Sequence, residues 1–183
     1  MNLSEEDNYK KTFVIKMAVC SENENQLLKF LSIALDNEET SFSFDNLIPV
    51  GSNRQRYLHS LVRWRISNWG VAYDCDYVVK DVKHVDKLFD RSELYKYSEY
   101  LQYTTLLNIP VQLFLQLSSA FSDLKFIMIF IRNDLTLCGK LTIENDQIIS
   151  RTLIEGENPQ MIQLFQYMYD NNYPNLIYGG LDL

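Results

Sequence analysis

Between Leu124 and Arg132 the chain reads Leu-Lys-Phe-Ile-Met-Ile-Phe-Ile-Arg, a nearly unbroken apolar run. Successive side chains of a strand point to opposite faces, so a strand of this composition must be covered on both. The segment therefore predicts a central strand. The run is far too short to cross a membrane, which takes about 20 apolar residues. With 46% hydrophobic and 22% charged residues, the chain has the composition of a folded domain rather than a disordered one.

Other segments take their places around this strand. Thr12–Cys20 is β-branched and aromatic and predicts a first strand. Ser21 and Glu24 have the spacing of a capping box, and Leu27, Leu28, Leu31 and Leu35 recur at helical intervals, so a helix is expected over 22–36. A second helix is expected over 54–69, with Leu58, Leu61, Val62, Ile66 and Trp69 inward and Gly70 as its stop. Strands are expected over 75–82 and 99–107, with a loop or short helix between them. Pro110 opens a third helix whose inner stripe is Val111, Phe114, Leu117, Ser118 and Phe121. After the central strand, 135–144 and 147–153 read as a hairpin joined at Asn145-Asp146. Asn158-Pro159 starts a fourth helix.

The order β-α-(insert)-β-β-α-β-β-β-α contains a split β-α-β arrangement, which predicts an α+β, ferredoxin-like sheet with helices on one face. The chain is expected to form a single domain over 1–183. Its core would span 12–149 with a basic helix inserted at 46–73, and 150–183 would form a C-terminal helical extension.

Charge is distributed unevenly. The chain carries −7 overall, yet Asn46–Tyr73 has no Asp or Glu and holds Arg54, Arg56, Arg63 and Arg65; this window is +4, which leaves the rest of the chain at −11. Such a segment attracts an anion at one place, while the acidic remainder could mimic nucleic acid towards a basic groove. Arginines interleaved with Tyr57 and Trp64 suit single-stranded RNA, by phosphate pairing and stacking, and suit a protein hot spot equally. The plainer alternative is that these arginines pair with acids of neighbouring elements. Trp69 is expected in the core and Trp64 half exposed, the two not sharing a helical face because they are five positions apart.

Candidate chemistry is sparse. The chain has no P-loop, dinucleotide fingerprint or nucleophile elbow. Its two histidines are His59 and His84. His59 could serve as a general base for RNA cleavage, with Arg56 and Arg63 holding the phosphodiester, or stand as a plain surface residue. Asp74 and Asp76 would share one face of a strand and are weak candidates for a hard cation; otherwise they are a solvated strand end or partners for Arg63 and Arg65. Tyr95, Tyr97, Tyr100 and Tyr103 cluster where an open sheet face could bind a partner, or line the rim of a core. Three scattered cysteines, Cys20, Cys75 and Cys138, and a polar, acidic N-terminus point to a reduced, cytoplasmic setting. No cofactor and no membrane partner is expected.

Several motifs resemble those of the YubB-type ferredoxin-like family of phage and plasmid proteins. They are Phe42-Ser43-Phe44-Asp45-Asn46-Leu47-Ile48-Pro49, then Trp64-Arg65-Ile66-Ser67-Asn68-Trp69-Gly70 followed by Asp74, then Thr104 through Pro110. Ser122-Asp123-Leu124 through Gly139 and Asn145 resemble its final strands. The resemblance implies a ferredoxin-like fold and a mobile genetic element. By context it implies an interaction protein that binds and inhibits a host defence complex in a bacterial cytoplasm, a CRISPR effector nuclease or its guide RNA. An RNA-cleaving enzyme, or a factor promoting guide-RNA cleavage, and a self-associating structural protein are the alternatives.

Overall fold

In a computed structural model of the chain, residues 10–35, 42–51, 58–79, 82, 85–156 and 159–168 are described. Six strands form one antiparallel sheet in the order β2-β3-β1-β4-β5-β6. They are β1 (Thr12–Ser21), β2 (Asp76–Val79), β3 (Tyr97–Leu106), β4 (Leu124–Arg132), β5 (Leu137–Glu144) and β6 (Gln147–Glu155). The described helices are α1 (Glu24–Ala34), α2 (Phe44–Leu47), α3 (Leu58–Trp69), α4 (Val85–Leu88), α5 (Val111–Ala120) and α6 (Pro159–Met168), with a 3-10 turn at Arg91–Glu93. The protein is thus an α+β protein.

The register explains the core. Leu101, Met17, Met128 and Leu141 form one row across β3, β1, β4 and β5. Alternation along β1 sends Phe13, Ile15, Met17 and Val19 to one face, where Leu27 and Phe30 of α1, Phe44, Trp69 and Phe114 of α5 pack on them. Aromatic rings meet edge to face there, as Phe30 does with Phe126 at 5.5 Å between centroids.

The second face departs from the expectation of helices on one side. Val14, Ala18 and Cys20 of β1 and Ile127, Ile129 and Ile131 of β4 are also buried, under Leu88, Phe89 and Met168. The segment around α4 and the C-terminal α6 supply this cover. A central strand apolar on both faces requires a second layer, and part of it comes from the segment between the second and third strands, expected only as a loop or short helix. Lys16 lies within this face at 2% exposure and donates from Nζ to the Tyr167 carbonyl oxygen at 2.7 Å. The tyrosines consequently do not line an open face. Tyr103 is fully buried on the first face, while Tyr100 packs against Phe89 on the second.

Local stops and starts follow side-chain chemistry. The α1 N-cap is Asn23, whose side chain accepts from the Asn25 N–H; Ser21, expected to cap, is the last residue of β1 and accepts from the Asn23 N–H. Asn145 and Asp146 both have positive φ, 50° and 58°, as the two-residue turn between β5 and β6 requires. The expected boundary at 149/150 falls inside β6, so residues 150–155 belong to the sheet.

Candidate functional site: the face of helix α3

Helix α3 is held to the core by its last turn. Trp69 is fully buried, its Nε1–H donates to the Ile48 carbonyl at 3.1 Å, and its ring meets Phe44 edge to face at 5.9 Å. Gly70 then takes φ 83°, and a Cβ there would press on Val111 and Gln112 backbone nitrogens at 3.3–3.4 Å. Asn108 donates to the Gly70 carbonyl and Gln116 to that of Asn68, so the loop before α5 and α5 itself cap the end of α3. The Asn68-Trp69-Gly70 motif is therefore an anchor and a stop.

The apolar stripe expected along this helix holds at Leu61 and Trp69 and fails at Leu58 and Ile66. Leu58 is 74% exposed and Ile66 50%, whereas Leu61 and Trp64 pack on the core. Trp64 and Trp69 also touch, contrary to expectation, edge to face with centroids 5.7 Å apart. Two indoles are large enough to meet beside the helix although their Cα atoms sit on different faces.

Away from this anchor, the described residues His59, Ser60, Arg63, Trp64, Ser67 and Asn68 line a pocket of about 350 Å3. Helical spacing of three and four residues brings them together. His59 and Arg63 are exposed, and among the described residues no carboxylate pairs with Arg63 or Arg65. The site thus unites three of the expected residues, His59, Arg63 and Trp64. Arg54, Arg56 and Tyr57 lie outside the described residues. Arg65 does not join the pocket. Its guanidinium sits 4.9 Å from the centre of the Trp69 ring, and its Nε is buried without a hydrogen-bond partner. Ser60, Ser67 and Asn68 were not among the expected contact residues, although spacings of three or four place Ser60 and Ser67 beside Arg63 and Asn68 beside Trp64.

Asp74 has a different role from those considered. Its carboxylate accepts from the Ser43 hydroxyl and the Phe44 N–H, both at 2.7 Å, and from the Cys75 N–H at 2.8 Å. It ties the start of α2 to the segment leading into β2. Burial pushes the neighbouring Cys75 thiol up, with the Asp74 charge adding to the effect, and that thiol donates to the Phe42 carbonyl at 2.9 Å. The side chain of Asp76 lies outside the described residues. Among the described residues no group of three or more His, Cys, Asp or Glu side chains could hold a metal ion.

Chemically, the pocket offers one guanidinium, one imidazole, two hydroxyls, an amide and an indole, with no carboxylate among the described lining residues. Such a set donates hydrogen bonds and carries positive charge, so it suits a phosphate or carboxylate group. No described helix is long and apolar enough to cross a membrane. No family model, no curated protein and no solved structure matches this chain.

Proposed function

We infer that this protein is an interaction protein whose α3 face receives an anionic group of its partner. The observation that carries the reading is the pocket in which Arg63, His59 and Trp64 converge with no carboxylate among its described lining residues. The chain carries −7 overall, yet this pocket lies in the acid-free window 46–73, where an anion meets little local repulsion. The pocket lacks a described second acid or base beside His59, which favours binding over catalysis.

The motif resemblance extends this reading to a protein of a phage or plasmid that binds and inhibits a bacterial host defence complex, a CRISPR effector nuclease or its guide RNA. A ferredoxin-like core is part of the same proposal. It is supported by the antiparallel order β2-β3-β1-β4, in which α1 lies between β1 and β2 in the chain and α5 between β3 and β4.

The test is a double change, Arg56→Ala with Arg63→Ala, in cells whose CRISPR system is challenged by a targeted plasmid. The intact protein should protect the plasmid, and the double variant should lose protection at an unchanged melting temperature. A folded variant that retains full protection moves the site elsewhere; one that unfolds makes these arginines structural. If the partner surface is RNA, affinity should also fall steeply with salt.

A second reading is favoured by the fact that His59 and Arg63 share the pocket: cleavage of RNA with His59 as base. Guide RNA incubated with the protein should then fragment, and His59→Ala should abolish fragmentation. Intact RNA after prolonged incubation dismisses it.

A further inference from the structure

The sheet ends at β6, whose outer edge pairs with no other described strand. All of its nine residues except Ile154 are exposed, among them Ile148, Ile149 and Leu153, and among the described residues β5 is its only neighbour in the sheet. An outer strand presents a row of backbone N–H and C=O groups able to pair with another strand. Proteins commonly blunt such an edge with proline, lysine or a bulge. Here β6 has neither proline nor lysine, and its one irregularity, between Thr142 and Ile143 of β5, lies near its beginning. From Ser150 to Glu155 the pairing with β5 is regular, running from Thr142↔Ser150 to Leu137↔Glu155.

The sequence of this regular stretch is Ser-Arg-Thr-Leu-Ile-Glu. Two copies pairing antiparallel across a two-fold axis must place residues of like hydrogen-bonding orientation opposite each other, so the axis passes through a residue. An axis at Arg151 sets two arginines face to face, which is destabilising. An axis at Thr152 sets Arg151 against Leu153 and leaves no charge matched. An axis at Leu153 sets Leu153 against its own copy, Thr152 against Ile154, and Arg151 against Glu155 on both sides. Arg151, Leu153 and Glu155 stand on the sheet face of Leu137 and Leu141, by their pairing with Leu137, Gly139 and Leu141. In this register a leucine pair is flanked by two opposite-charge pairs on one face.

The geometry points to β6 as a self-complementary edge through which two copies of this chain join their sheets, with the two-fold axis at Leu153. Backbone hydrogen bonds and the leucine pair supply the attraction. The exposed Arg151–Glu155 pairs add little energy and select the register. An edge of this length buries less than the roughly 1,600 Å2 of a standard interface, so association should be reversible.

Sedimentation of the full chain between about 1 µM and 1 mM should show a monomer–dimer equilibrium. Arg151→Glu, which sets Glu against Glu155 twice, should weaken it about tenfold, and Arg151→Glu with Glu155→Arg should restore it. Leu153→Cys should give a covalent dimer on mild oxidation, because that residue faces its own copy. Ile149→Cys should not, since this register holds the two copies roughly 26 Å apart along the strands. The native thiols Cys20, Cys75 and Cys138 are buried and free, so they do not obscure the result. A monomer at every concentration overturns the inference. So does a dimer indifferent to the charge reversals, or one that cross-links as readily through Ile149→Cys. Leu153 lies over Gly139, so if its cysteine variant does not fold, the charge reversals at exposed positions decide alone. None of these outcomes bears on the α3 pocket, whose test reads a different surface.

Discussion

At the scale of single residues, two side chains show how local chemistry sets measurable stability. Trp69 is fully buried between Phe44 and Trp64 and bonded to Ile48. Trp69→Ala removes that packing, leaves a cavity and orphans a carbonyl, so it should cost about 3–5 kcal/mol. In a chain of this size the melting temperature should fall by about 10 °C; an unchanged transition in a calorimeter would contradict the placement. Tyr95, just before β3, reaches across one end of the sheet to the last residue of β5. Its hydroxyl donates to Glu144, and Lys125 Nζ lies 3.7 Å from its ring centre. The hydrogen bond to Glu144, aided by burial and by the Glu144 charge, holds the phenol up to about 12, above its ordinary 10. A group raised in the folded state stabilises below its unfolded value and ceases to do so as pH rises through the folded one. Stability should therefore fall between about pH 10 and 12, and Tyr95→Phe should flatten that part of the denaturation profile. A variant that tracks the parent through this window would show that Tyr95 is not the group titrating.

At the scale of elements, packing density decides what a strand tolerates. Gly139 on β5 sits in the row Tyr103, Ile15, Phe130, Gly139, Leu153. A Cβ there would lie 2.3 Å from the Thr152 carbonyl oxygen and 2.8 Å from the Phe130 ring. The backbone of β6 cannot give way cheaply, so Gly139→Ala should destabilise by about 1–3 kcal/mol. Urea titration checks this, and a neutral effect would mean that β6 is free to shift. The elements themselves were legible to different degrees. Leu124–Arg132 was readable to the residue because burial on both faces leaves only one interpretation. Pro159 marked the start of α6 equally well. On α3 the periodicity held at Leu61 and Trp69 but misled at Leu58 and Ile66, which are exposed. Of the candidate site, Arg63, His59 and Trp64 were findable from charge and helical spacing. The clamp made by Asp74 was not, since it joins residues about thirty positions apart.

At the scale of the whole molecule, β1 ties the structure together. It lies between β3 and β4, and its alternate residues enter both buried clusters. The apolar central strand called for cover on this second face, but the source of that cover was hidden from the sequence, because α4 and α6 are short or distant segments. Sharing β1 couples the two clusters through one strand, which favours one cooperative transition. Within the native state, protection should follow depth. Amides of β1 and β4, flanked by strands and covered on both faces, should exchange only through global unfolding. Amides of β6, exposed along nearly its whole length, should exchange by local fraying with a much smaller free energy. Hydrogen exchange read by mass spectrometry, in solution dilute enough to keep the chain monomeric, should therefore rank β6 as the fastest strand and β1 with β4 as the slowest. If β6 is as protected as β1 in the dilute monomer, the edge is rigid and the sheet opens only as a unit. If β1 exchanges ahead of β6, the sheet does not have β1 at its protected centre.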